Sequence, residues 1–148
     1  MTRISSRDLV VASLAAAVTL TVAAAAQSPA PAVQRSVVLD WNAMPAKPTD
    51  VGSVRQFLRA PTATLSELEI HVTTLKAGLA SHAPHRHANE ELVILKEGEV
   101  EVLVHGTWTR MGVGSIVLNA SNEEHALRNV GTGPATYHVI NWKVPEGK

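Results

Sequence analysis

From Leu65 onward the chain alternates between apolar and polar residues over short distances. In LSELEIHVTTL, Leu68, Ile70 and Val72 interleave with Glu67, Glu69, His71 and Thr73, a period of two that predicts a β-strand. Leu92–Lys96 is a continuous apolar run closed by Glu97-Gly98. Glu99–His105 alternates again, with Val100, Val102 and Val104 on one face. Gly106 turns the chain and Trp108–Met111 returns, which reads as a hairpin. Ser115–Leu118, His125–Val130 and Ala135–Val144 are further strands, the last two separated by the turn Gly131-Thr132-Gly133-Pro134. Earlier in the chain, Ser36–Trp41 and Val54–Leu58 read as short strands. Asn42–Gly52, with Pro45, Pro48 and Gly52, reads as loop. Outside the N-terminal segment, no stretch keeps an apolar 3.6-residue period for three turns. The pattern therefore predicts an all-β fold, an antiparallel sandwich or small barrel.

The N-terminus follows a different plan. Arg3 and Arg7 precede an uncharged Ala/Val/Leu stretch from Leu9 to Ala25, and Ala24-Ala25-Ala26 offers small residues before Gln27. This is the layout of a secretory signal. An uncleaved anchor is the alternative, because the stretch is just long enough to span a bilayer. The small residues favour cleavage. The expected organisation is a signal at 1–26, a Pro/Ala linker and arm at 27–50, and one β domain at 51–148. The expected location is periplasmic or otherwise extracytoplasmic.

Composition narrows the chemistry. The 148 residues carry 13 Lys+Arg against 13 Asp+Glu, so there is no basic footprint for nucleic acid. Removing residues 1–26 leaves 122 residues, with 11 basic and 12 acidic side chains. Aromatic residues make up only 3%, too few for a base-stacking platform. The absence of Cys removes disulfides, thiolate metal sites and catalytic thiols. The 7 His are what remains to carry metal chemistry.

They concentrate in GLASHAPHRHANEELVILKEG, residues 78–98. His85 and His87, two apart, point to one side of an extended segment. Glu91 returns to the same point if Ala88-Asn89-Glu90 makes a tight connection. Two imidazoles and a carboxylate suit a divalent first-row metal. Downstream, His125 sits on a strand whose near face also carries Leu127 and Asn129. Glu90 competes with Glu91, but Glu91 shares a face with Val93 and Leu95, which leaves Glu90 to solvent.

At this point the residues resemble the cupin superfamily. His85-x-His87-x3-Glu91-x6-Gly98 matches the first cupin motif. Gly114-x5-Ala120-x-Asn122-x2-His125-x3-Asn129 matches the second in spacing. The two motifs cover about 50 residues. The sequence departs from the family pattern where six residues separate Gly78 from His85. It departs again at Ala120 and Asn122, which stand where the pattern has Pro and Gly. Asn is the best replacement for Gly at positive φ, so a turn at Asn122 is expected.

The resemblance implies a small antiparallel β-barrel, the jelly-roll-like double-stranded β-helix. It implies one divalent transition metal (Fe, Mn, Ni, Co or Zn) held inside by His85, His87, Glu91 and His125. Octahedral coordination would leave two adjacent positions for an oxygen-donor substrate and O2, hence the expectation of a dioxygenase-like enzyme on a small molecule. Isomerase, lyase and hydrolase chemistry also occur within the family. The alternative is a non-catalytic binding or sensing module. Homodimerisation is expected by the same resemblance; no nucleic acid partner is expected, nor membrane contact after signal cleavage.

The remaining histidines divide by position. His82 lies on a loop and is expected to be exposed, with lining of the pocket mouth as the alternative. His71 faces either the cavity or water. His138, on the last strand, is either close behind the metal ligands or simply half-buried, and His105 is solvated beside its turn. Glu123 and Glu124 are expected to be solvated turn carboxylates. Asn129 is expected to bond backbone across the barrel and Arg128 to point outward. Trp41, Trp108 and Trp142 are assigned to the core or a dimer interface.

Overall fold

The computed structural model describes residues 32–147, so the expected signal at 1–26 lies outside the described residues. The chain divides at residues 30 and 31, and the second unit, Pro31–Lys148, contains the whole β fold. Its strands are β1 (Lys47–Thr49), β2 (Gly52–Ala60), β3 (Glu67–Leu75), β4 (Glu90–Glu97), β5 (Val100–Val104), β6 (Thr107–Met111), β7 (Ile116–Asn119), β8 (Leu127–Asn129) and β9 (Ala135–Lys143). Six form one antiparallel sheet in the order β1-β2-β3-β9-β4-β7, and three form a second in the order β6-β5-β8. The fold is all-β, as the alternation predicts.

The sheets face each other across one apolar core. Leu75, Val93, Leu95, Ala135, Tyr137 and Val139 come from the large sheet, and Val100, Val102, Met111 and Leu127 from the small one. The predicted inward face of β5 is therefore the observed one. The hairpin between β5 and β6 is closed by two residues, since Val104 pairs with Thr107. His105 and Gly106 between them both have positive φ, 48° and 75°, as the twist-matched two-residue turn requires. Asn122 adopts φ 60°, the left-handed turn expected for it. Gly98 has φ 90°, and a Cβ there would lie 2.6 Å from the Cα of Ala135, so no larger residue fits between β4 and β5.

The N-terminal arm departs from the reading. Ser36–Asp40 forms no strand, and Val38 is 91% exposed. Asp40 instead caps a short 3₁₀ turn, Trp41–Ala43, by accepting from the Asn42 amide at 2.7 Å. A β-branched pair favours extension, but with neither face covered it wins no burial. The segment read as loop contains β1, because Lys47–Thr49 pairs with Val54, Ser53 and Gly52. Pro48 is tolerated there because β1 is the sheet edge. The tryptophans lie outside the core. Trp41 packs under Lys96 and Arg55 (3.8 and 4.8 Å to the ring), and Trp108 lies under Arg128 at 4.1 Å. Each keeps its ring half-buried on an outer face, where a cation covers it.

The alternation of β3 also has an outcome the pattern left open. Glu69, His71, Thr73 and Leu75 point inward. Leu68, Ile70 and Val72 lie on the outer face, opposite Trp142, Ile140 and His138 of β9. His138 thus faces away from the cavity, toward Trp41 (ring centroids 6.5 Å apart), and has no place behind the metal ligands.

Asn129 ties the loops at one end of the sandwich. Its amide donates to the carbonyls of Leu75, Lys76 and Gly133, and its oxygen accepts from the Gly131 amide at 2.9 Å. The residue is 2% exposed. Replacing it by Leu removes three donations to backbone carbonyls, that of buried Leu75 among them, and leaves the Gly131 amide without its acceptor. We expect Asn129→Leu to lower stability by about 2–4 kcal/mol, read from urea unfolding with the denaturant slope unchanged.

Candidate metal centre

The histidines reach one point because two stretches without regular strand structure zip together. The loop after β3 runs antiparallel to the segment leading into β8. The Asn129 amide donates to Leu79, Ser81 to Leu127, and Asn122 to His87. In the middle, His85 and His125 exchange both amide-to-carbonyl bonds, at 3.1 and 3.0 Å. A doubly bonded antiparallel pair fixes the two Cα atoms about 5.5 Å apart with their side chains on the same side. His87, two residues on, follows to that side. His125 therefore sits just before β8 rather than within it, held by an isolated bridge.

The three imidazoles form a triangle, with ring centroids 5.3 Å (His85–His87), 4.5 Å (His85–His125) and 4.7 Å (His87–His125) apart. One nitrogen from each lies within 4.8 Å of the others. Two rings are oriented by backbone: His125 Nδ1 meets the Glu123 carbonyl at 2.9 Å, and His87 Nδ1 the Asn89 carbonyl at 2.8 Å. As hydrogen-bonded donors, these Nδ1 atoms leave Nε2 a bare lone pair. Nε2 of His125 is buried with no partner, as is Nδ1 of His85. Buried nitrogens without partners are costly, and a cation at the centre of the triangle would satisfy them.

Glu91 stands beside this group on β4, outside the three-histidine cluster. One carboxylate oxygen lies 3.8 Å from His87 Nε2, and the other accepts from Asn119 Nδ2 at 2.9 Å. Asn119, 8% exposed, is opposite Glu91 in register on β7 and aims the carboxylate. Asn119 lies one residue beyond the strand expected at Ser115–Leu118, and the inward parity it shares with Val117 is the signal that marks it. Glu90 is exposed, as expected.

The group opens into a cavity of about 320 Å³. His71, His82, Thr73, Tyr137, Val93, Val117 and Val139 are among the residues that line it. His82 is exposed as expected, yet it also packs edge-on against His85, with centroids 4.1 Å apart. Burial pushes the Tyr137 phenol up, Ser81 and Thr73 pull it back, and the charge of Glu91 raises it further, so it stays a neutral hydroxyl. His105 and Glu123 meet at 3.4 Å on the surface, and Arg128 pairs outward with Glu101 at 2.6 Å.

Comparison with known proteins agrees with this architecture. Residues 71–141 match the family model described as a cupin domain. Residues 71–141 form a cupin domain. Among solved structures it resembles an RmlC-like cupin from Shewanella frigidimarina, at 13% identity over 78% of this chain and 97% of that one, with a TM-score of 0.62. It also resembles a predicted oxalate decarboxylase from Thermotoga maritima, at 15% identity over 73% of this chain and 100% of that one, with a TM-score of 0.61. A third is the cupin domain of an XRE family transcriptional regulator from Enterobacter cloacae, at 23% identity over 63% of this chain and 96% of that one, with a TM-score of 0.53. No curated protein matches the sequence.

The histidine cluster carries an acid liability. His85 is held below its ordinary value of 6.5 by burial first, then by repulsion from His82, His125 and His87, against an opposing pull from Glu91. His138 is likewise lowered, by burial and then by Lys96. Both are depressed in the folded state. The stability they contribute is present above 6.5 and is lost as pH falls through the folded values, because the unfolded chain binds their protons more tightly. The urea midpoint of metal-free protein should fall between about pH 7.5 and pH 5, and His85→Gln with His138→Gln should flatten that dependence. A double variant with an unchanged slope would contradict this account.

Proposed function

We propose that this cupin is a metal-dependent enzyme acting on a small oxygen-donor molecule, with oxygenase chemistry as its first reading. The carrying observation is the convergence of His85, His87 and His125 on one point, with two buried unpartnered nitrogens, at the end of a cavity of about 320 Å³. These residues would hold a divalent transition metal, and Glu91, aimed by Asn119, would complete the set. Bound there, the metal would supply Lewis acidity and an electron path. The chain's own residues do the rest. Val93, Val117 and Val139 keep water from one wall, and the Tyr137 hydroxyl and Thr73 offer polar contacts to orient the ligand. A cavity of this volume admits a molecule of small-metabolite size.

The same fold in a transcriptional regulator supports a second reading, a module that binds a small molecule without converting it. Turnover separates the two. Elemental analysis should find one divalent metal per chain, lost in His85→Ala and His125→Ala, with affinity about 10–100-fold weaker in Asn119→Leu. Undiminished metal in the histidine variants would refute the site. Iron-loaded protein should convert a small oxygen-donor acid in air and not under argon. Equal conversion under argon would remove the oxygenase reading, and tight binding without conversion would favour the binding module.

The secretory signal and the homodimer belong to the same proposal. The signal rests on residues 1–26. The dimer rests on the outer face of the large sheet, where the edge strand β7 exposes Ile116 (60%) and Leu118 (55%) beside Ile94 and Leu92. A second copy covering this row would bury apolar surface and protect the unpaired edge. Secreted protein should begin at Gln27 by mass spectrometry and scatter light as twice the chain mass. A monomer unchanged by Ile116→Lys and Leu118→Lys would exclude the dimer.

A further inference from the structure

The cavity has a second titratable group that the metal site does not use. His71 lines it from β3. Its Nδ1 is buried without a hydrogen bond, yet lies 3.3 Å from an oxygen of Glu69. The other oxygen of Glu69 is held by Arg59 at 2.5 Å, from the neighbouring position on β2. Arg59 thereby fixes the direction from which Glu69 meets the ring. A small rotation of either side chain would bring Nδ1–H onto line with the carboxylate; apo sites often show such contacts long or misaligned. No hydrogen bond occupies Nε2 among the described residues.

Register locates His71 relative to the histidine triangle. On the inner face of the large sheet one row reads Glu69, Asn141, Glu91, Asn119, and the next reads His71, Val139, Val93, Val117. The two titratable strands, β3 and β4, are thus separated only by β9. At about 4.8 Å per strand their backbones are roughly 10 Å apart, with side chains projecting toward one another. A small ligand bound by its oxygens at the triangle presents its neighbouring atoms to His71 across a wall of valines.

We propose that His71, positioned by Glu69, is the proton acceptor and donor of this cavity, acting on an acidified O–H or C–H of a small chelating hydroxy-carbonyl compound. In that step the ligand's bond to hydrogen breaks and its electron pair stays on the ligand atom. A new N–H bond forms at Nε2, and the positive ring is balanced by Glu69. The return step reverses this, so no further reactant is needed. The chelating part rests on the metal reading above. The state of His71 does not, and it is measurable in metal-free protein.

The test is long-range nitrogen–proton NMR on full-length mature protein, with and without zinc. It should show His71 protonated at Nδ1 and bare at Nε2. Glu69→Gln should mix the two tautomers, while Glu69→Asp should restore the original one. Acylation of His71 by diethyl pyrocarbonate, read by peptide mass spectrometry, should slow about tenfold in Glu69→Gln, the worth of one charge-assisted hydrogen bond. A wild-type His71 protonated at Nε2, or a tautomer and acylation rate indifferent to Glu69→Gln, would overturn the proposal. The wild-type measurement decides even if the variant fails to fold. Failure of the metal reading shows separately, as loss of zinc binding with the His71 signals unchanged.

Discussion

The site depends on one pair of backbone hydrogen bonds, those that His85 and His125 exchange. Neither residue belongs to an extended strand ladder, and the two are far apart in sequence. Side-chain rotamers alone would not hold three imidazoles at one point, because each adds rotational freedom that folding must remove. The doubly bonded pair removes it through the backbone. The rest follows: His87 takes its side by parity, Glu91 by its place at the start of β4, and Asn119 by its register opposite Glu91. A strand slip of one residue would turn each of these away from the centre.

Much of this was legible in the sequence, for a physical reason. Short alternating or apolar runs marked all eight strands from β2 to β9 within about two residues of their observed bounds, because those strands have one face in a core. Parity then assigned Glu91 inward and Glu90 outward. The left-handed turn at Asn122 and the bonding role of Asn129 followed from what a small amide side chain does best. What failed to show was whatever depends on coverage rather than periodicity. Val37 and Val38 favour extension but meet nothing, so they stay irregular, while the prolyl segment Lys47–Thr49 is drawn into the sheet edge by β2. Trp41 and Trp108 are large and apolar, yet each finds its partner in a cation on an outer face.

β3 illustrates the same limit at the site itself. Apolar Leu68, Ile70 and Val72 lie on its outer face, and polar His71 and Thr73 line the cavity. In a sandwich with a filled interior that assignment would be inverted. Polar residues facing inward without a full set of partners mark a surface held ready for a ligand, at a cost in stability. The contrast with β4 and β9, whose inward valines are well packed, divides the cavity into an apolar wall and a polar one.

The zipper that builds the triangle also sets how it opens. It is held by a handful of backbone bonds between segments with many exposed residues, whereas the two sheets are joined by a continuous apolar core. The strip can part while both sheets remain intact. Loading of an ion would then be a local event of the already folded domain, with an entry rate set by fraying of this strip. Once bound to residues on both of its sides, the ion would act as a rivet, and its departure would require the same strip to part against the added bonds.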